Sequence, residues 1–303
     1  MRRALFRAAL ILVCACGSSP TGVTLAAAQN NPWAIAVDST SVYWTDSIAG
    51  TVMKVGLSGG TPVTLVNARE EGFLAIAVDA TSVYFSAPGV IAKTGLSGGN
   101  EEFVASGTNI TVGLAVDSTS LYFSDFDAVA KVGLADGTLA ILSQGQSDQP
   151  QSVAVDATSV YWTDYNAGTV MKVGLAGGTP TTLASGLGGP TGIAVDSTSV
   201  YWTDFDSIAK LGLSGGTTVT LASGQSRPWS IAVDSASVYW TSIGQADCGG
   251  AEMPCNGAVF KVGLAGGAPV ALATGGAPTN LVVDSTSVYW TDPGTGTVRK
   301  APK

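Results

Sequence analysis

The chain has 303 residues, with 14 basic and 22 acidic side chains, a formal net charge of −8, only 12% charged residues and no histidine. Basic groups this sparse do not track a phosphate backbone, so nucleic acid is not an expected partner, and the net negative charge disfavours anionic membrane surfaces. Without imidazole there is no His-dependent triad, no His-ligated metal and no imidazole acid–base step. The expectation drawn from this is that the chain is not an enzyme.

In chain order, the first stretch is "MRRALFRAALILVCAC". Its basic start, short apolar run and small residues before a cysteine have the form of a secretion signal, and "VCAC" resembles the lipobox of bacterial lipoproteins. That resemblance implies cleavage after residue 15 and lipid on the Cys16 thiol, with 16–20 as a short tether. A rival cut lies after Ala28, in "LAAAQ". Without Arg2, Arg3 and Arg7, eleven basic residues face 22 acidic ones in the mature chain. Beyond residue 15 no apolar run approaches the ~20 residues of a membrane-spanning helix.

From there the chain repeats. The dipeptide "VD" recurs at Asp38, Asp79, Asp117, Asp156, Asp196, Asp234 and Asp284, in steps of 38 to 41 residues and a last step of 50. Each unit reads as "PxxIAVDSTSVYWTD", a short loop, "TVMKVGLSGG" and "TPVTLASG". These are four short strands joined by turn residues, and no segment has a helical period. Four strands in ~40 residues are the signature of a propeller blade, whose sheet is covered on both faces by its neighbours. That explains why "VYW" is apolar at consecutive positions. The seventh unit ends at "GTVRKAPK" with three strands, and its fourth is at the front. Residues 21–38 align without gaps to 217–234 and match at 12 of 18 places. Residues 21–26 are therefore predicted to close the ring, which argues against cleavage after Ala28. The expected organisation is a signal over 1–15, a tether over 16–20 and an all-β, seven-bladed propeller over 21–303, acting as a monomer.

The motif resembles the YWTD repeat of the low-density-lipoprotein-receptor propellers. It stands as Tyr43-Trp44-Thr45-Asp46, Tyr161-Trp162-Thr163-Asp164, Tyr201-Trp202-Thr203-Asp204, Tyr239-Trp240-Thr241-Ser242 and Tyr289-Trp290-Thr291-Asp292, with phenylalanine forms at Tyr84-Phe85 and Tyr122-Phe123. Those receptors have six blades and cysteine-rich modules, and this chain has seven blades and none. The resemblance therefore implies the fold and not the receptor ligands.

A residue present in every blade is there because every blade needs it. The motif aromatics are read as core, the "VD" aspartates as turn organisers, the motif aspartates as strand-end acceptors and the seven repeated lysines as partners of acids or rim residues. What departs from the repeat is the candidate for function. Loops between second and third strands carry "SDFDAVA" (Asp125, Asp127), "TDYNAG" (Asp164, Asn166) and "TDFDSIA" (Asp204, Asp206), which would hold calcium only if more oxygens converged. No other cofactor is expected. Blade 6 has a long loop in which Cys248 and Cys255 are expected to form a disulfide.

The working surface is expected where each innermost strand begins. The first residue after the proline position is Trp33, Leu74, Val112, Gln151, Thr191, Trp229 or Thr279 in turn. Trp33 and Trp229 flank blade 7 with Thr279 and Asn280 between them, and Arg227 and the amides Asn30, Asn31 and Gln225 lie nearby. This set (Trp33, Trp229, Arg227, Asn280, Thr279, Asn31) suits a sugar, a peptide or a protein partner. Three readings stay open: a lipid-anchored envelope propeller that binds a protein, peptide or glycan; a carboxylate- or metal-dependent hydrolase or lyase; and a calcium-stabilised structural repeat.

Overall fold

The computed structural model describes residues 22–67, 72, 74–108, 111–145, 149–244 and 256–303. Cys16, Cys248 and Cys255 lie outside the described residues, so the lipid site and the disulfide do too. The described chain forms seven four-stranded antiparallel sheets and no helix. Blade 1 runs from its inner strand Pro32–Val37 through Ser41–Asp46 and Thr51–Gly56 to the outer strand Val63–Asn67. Blade 7 has Leu281–Val283, Ser287–Asp292 and Thr297–Pro302, and Val23–Ala26 completes it by pairing antiparallel with Thr297–Pro302. The ring is closed by the N-terminal strand, so blade 7 keeps no unpaired third strand.

Alternation along the second strand fills the seams between blades. Tyr43 and Trp44 point to opposite faces of one sheet. Tyr43 packs on Ile76, Val83 and Phe85 of blade 2, while Trp44 packs on Tyr289 and Val298 of blade 7. The same pairing recurs where Tyr201 of blade 5 meets Trp240 of blade 6. All five motif tryptophans are at most 1% exposed. Each seam is thus sealed by one blade's tyrosine and the next blade's tryptophan or phenylalanine, the largest apolar areas available.

The "VD" aspartates organise the turn, as expected. Asp38 Oδ1 accepts from the Thr40 and Ser41 N–H groups at 2.6 and 2.8 Å, and Oδ2 accepts from the Tyr43 hydroxyl at 2.7 Å. The unit is repeated in every blade, ending with Asp284 and Tyr289. The repeated lysines differ from expectation. Lys54, Lys131, Lys210 and Lys300 donate to the main-chain carbonyls of Leu96, Leu175, Leu264 and Leu57, each in the next blade. Of the seven, Lys93 pairs with an acid, Glu102, at 3.3 Å. The acid that joins a turn unit is met by Lys303, outside the repeated position, whose Nζ lies 2.7 Å from Asp234.

Burial works against the charge of these aspartates, but their donors outweigh it and all seven titrate below the usual carboxylate value. Asp234, which also receives Lys303, is brought to about 2. Burial and the hydrogen bond to the carboxylate push the phenols up, to about 12 for Tyr84, Tyr161, Tyr201, Tyr239 and Tyr289. A depressed carboxylate stabilises the fold above its unfolded pKa and loses that contribution as pH falls toward the folded value. A raised phenol does so below ~10 and loses it as pH rises. Thermal midpoints should therefore form a plateau that falls on the acid side from about pH 4 toward 2 and on the alkaline side above about pH 10. Asp234→Asn should flatten part of the acid limb. A midpoint unchanged down to pH 2 would contradict this account.

Candidate functional site

The second-to-third loops and the connections between blades lie on one face of the ring, and the axis opens there. In blades 1, 4 and 6 the inner strand begins with a proline, and its register against the second strand shifts between Pro32 and Ile35, Pro150 and Val153, and Pro228 and Ile231. Two residues then oppose one, a bulge that re-aims side chains. The bulged pairs are Trp33-Ala34, Gln151-Ser152 and Trp229-Ser230. The motif threonine opposite each pair serves the displaced backbone: Thr45, Thr163 and Thr241 Oγ1 accept from the N–H of Ala34, Ser152 and Ser230 at 3.0, 3.3 and 3.1 Å.

Hydroxyls at this motif position also reach across the seams. Thr163 donates to the Thr191 carbonyl, Thr203 to Trp229, Thr241 to Thr279 and Thr291 to Trp33, at 2.7, 3.0, 2.5 and 2.5 Å. Ser124 does so to Gln151 at 3.1 Å. Each acceptor is the first residue after the proline position of the following blade. A girdle of hydroxyls therefore holds the main chain around the channel mouth.

Inside the girdle is a pocket of about 240 Å³, whose lining includes Trp33, Leu74, Val112, Gln151, Thr191, Trp229 and Asn280. Trp33 and Trp229 are half-buried and meet edge to face, ring centroids 6.3 Å apart at 71°. Asn280 Nδ2 donates to the Trp33 carbonyl at 3.1 Å. None of the described lining residues is charged. Below the pocket the channel continues as an aliphatic space of about 420 Å³ between the inner strands.

Of the expected site residues, Trp33, Trp229 and Asn280 come together at this pocket. Thr279 does not line it: its side chain is 5% exposed and its hydroxyl lies 3.1 Å from that of Thr291. Asn31 is a strand-entry residue, its N–H on Asp46 at 3.0 Å and its amide on the Ser47 hydroxyl at 2.7 Å. Arg227 is exposed with φ +55° and is absent from the described lining, and its carbonyl accepts from Ile243 N–H at 3.1 Å. Gln225 accepts from the Trp240 indole at 3.2 Å, as Gln29 does from Trp44 at 3.0 Å.

Among the described residues no three cysteine or carboxylate side chains converge on one point. Asp204 accepts from the Gly188 and Phe205 N–H groups, both at 2.8 Å, and Asp125 from Phe126 N–H at 2.7 Å. Sequence reasoning fixed on these acids and passed over the aromatics beside them. Phe126, Tyr165 and Phe205 occupy one equivalent position in consecutive blades, and all three are exposed.

No protein-family model matches the chain, and no curated protein matches it significantly. Similar solved structures include a selenomethionine-substituted virginiamycin B lyase from Staphylococcus aureus, at TM-score 0.74 and 13% identity, over 93% of this chain and 98% of that one. A catalytically inactive histidine-to-alanine variant of that lyase, with quinupristin, gives TM-score 0.75 and 14% identity, again over 93% and 98%. A chain of a nidogen–laminin complex gives TM-score 0.55 and 20% identity over 61% of this chain and 77% of that one. These likenesses show the propeller fold. They also correct the expectation that the chain is not an enzyme. Structures that share this fold over nearly their full length include lyases, so missing histidines do not settle the matter.

The girdle has a direct test. Thr241→Val deprives the buried Thr279 carbonyl and the part-buried Ser230 N–H of a partner. Urea unfolding should show a loss of about 1–3 kcal/mol with an unchanged slope. An unaltered midpoint would mean that the hydroxyl carries no structural role.

Proposed function

We propose that this chain is a binding propeller whose ligand enters the axial pocket, and that the ligand is an uncharged glycan or peptide segment. The observation that carries the reading is the Trp33–Trp229 pair on the wall of a pocket with no charged side chain among its described lining residues. Two indoles offer apolar area and flat faces, while Gln151 and Asn280 supply donors and acceptors. A charged ligand would lose its hydration there without gaining a counter-charge. The nidogen–laminin complex, a propeller fold in a protein assembly, agrees with a partner-binding role.

The test is an array of neutral oligosaccharides and uncharged peptides probed with the labelled protein. Trp229→Ala should weaken retention at least about tenfold, a difference of ~1.4 kcal/mol, and leave the melting temperature nearly unchanged. Equal retention by the variant overturns the reading. Mass analysis of the captured ligand separates binding from turnover, since a lyase would release fragments of it.

The reading extends to the compartment. The proposal is a YWTD-type propeller over 21–303, tethered by 16–20 to a lipidated Cys16 after removal of 1–15, facing its partner in a bacterial envelope. Cys16→Ser should move the protein from the membrane fraction to the soluble or unprocessed pool. A mature wild-type chain beginning at Gln29 would refute both the lipid and this assignment of the N-terminal strand.

A further inference from the structure

The second-to-third loops carry one more departure from the repeat. At the position after the four-residue motif, blade 1 has Ser47, blade 2 Pro88, blade 6 Ile243 and blade 7 Pro293. Blades 3, 4 and 5 have Phe126, Tyr165 and Phe205, which are 46, 45 and 69% exposed. Ser47 and Ile243 are buried. Large exposed rings therefore occupy the same loop position on three consecutive blades, on the face where the axial pocket opens.

Two of the rings, Tyr165 and Phe205, are set against backbone. The connection from blade 4 to blade 5 passes between Tyr165 and Phe205 as Gly188-Gly189. A Cβ added at Gly189 would lie 3.0 Å from the Tyr165 ring, and one added at Gly188 would lie 3.0 Å from Phe205 Cβ. Gly189 also has φ +123°, which other residues rarely adopt. Main chain this close restricts these two rings, and a restricted aromatic surface gives up less entropy on binding.

The charges that flank the rings in sequence are acidic, with exposed Arg227 on the neighbouring connection from blade 5 to blade 6. Phe126 stands between Asp125 and Asp127, and Phe205 between Asp204 and Asp206, with Asp127 and Asp206 exposed. The repeated lysines of these blades are engaged elsewhere. Lys131 and Lys210 donate to Leu175 and Leu264 carbonyls toward the opposite face, and Lys172 lies over Tyr161 at 5.3 Å. Exposed ring faces next to carboxylates attract guanidinium and ammonium groups.

We propose that the arc of Phe126, Tyr165 and Phe205 is a docking surface for a cationic peptide segment of a partner protein. Its arginine or lysine side chains lie over the rings and against the flanking aspartates. The surface is separate from the axial pocket, whose described lining is uncharged, and it does not rest on the ligand proposed for that pocket.

The test is fluorescence anisotropy with a labelled hexapeptide amide that alternates arginine and tryptophan, and with its counterpart carrying glutamate for arginine. The wild-type chain should bind the first and not the second, with affinity falling as salt rises. Phe205→Ala and Tyr165→Ala should each weaken binding about tenfold. The double change Asp127→Asn, Asp206→Asn should weaken it and reduce the salt dependence. All these side chains are exposed, and melting temperatures checked in parallel should match the wild type. Binding that survives both aromatic substitutions is generic attraction to an acidic chain and overturns the proposal. So does binding that falls with Trp229→Ala instead of with the arc variants, or arc variants that change the binding of cellohexaose and not of the cationic peptide.

Discussion

The hydroxyl of the third motif residue is the contact on which the functional end of this propeller depends. Packing of tyrosine against tryptophan brings neighbouring blades together, but apolar contact is non-directional and leaves the sliding of one sheet against the next weakly specified. A hydrogen bond with a fixed partner removes that freedom. Thr163, Thr203, Thr241 and Thr291 each donate to a carbonyl of the following blade, and Thr163 and Thr241 also accept from the bulged N–H of their own blade. One atom therefore shapes the bulge that aims a pocket side chain and fixes the seam beside it. The last bond, from Thr291 to Trp33, joins positions 258 residues apart and reinforces the ring where its ends meet.

This arrangement separates fold from chemistry. The girdle grips main-chain carbonyls, which every residue has, so the side chain on each gripped residue is free to vary. The gripped residues include Trp33, Gln151, Thr191, Trp229 and Thr279, while the strands behind them are nearly identical from blade to blade. The lysines work by the same rule on the other face. They bind carbonyls of the next blade, so the identity of the residue they meet matters little. A scaffold fixed through its backbone can carry an asymmetric pocket and an asymmetric rim without altering its core.

The fold was legible because its determinants are local and repeated. Alternating aromatics, "DSTS" turns and a gapless match between the front of the chain and the fifth-to-sixth blade junction leave little choice of architecture. The pocket was partly legible, since counting from the proline finds Trp33 and Trp229. It failed at Thr279 because spacing does not show whether a hydroxyl has a better partner behind it, and Thr291 supplies one. It failed for Asn31 and Gln225 because amides beside a site and amides that cap a strand end or an indole look alike in sequence. The lysine ties were not legible, because opposite charges suggest a pair while a carbonyl 42 or more residues away leaves no trace. Phe126, Tyr165 and Phe205 are one-letter departures in loops whose acids drew attention, and only their exposure distinguishes them from core aromatics.

The same separation bears on catalysis. In the lyase variant that shares this fold, loss of one histidine accompanies loss of activity, and this chain has no histidine. The girdle holds main-chain carbonyls, so different side chains at the channel mouth are compatible with one fold. Low identity over a shared architecture is the expected outcome. The described groups at this mouth are indole, amide, hydroxyl and alkyl, none of which exchanges a proton readily near neutral pH. They do combine flat apolar faces with fixed donors and acceptors, the combination that holds a neutral molecule in one orientation. This combination supports the binding reading proposed above, and a proton carrier for any turnover would come from outside the described lining.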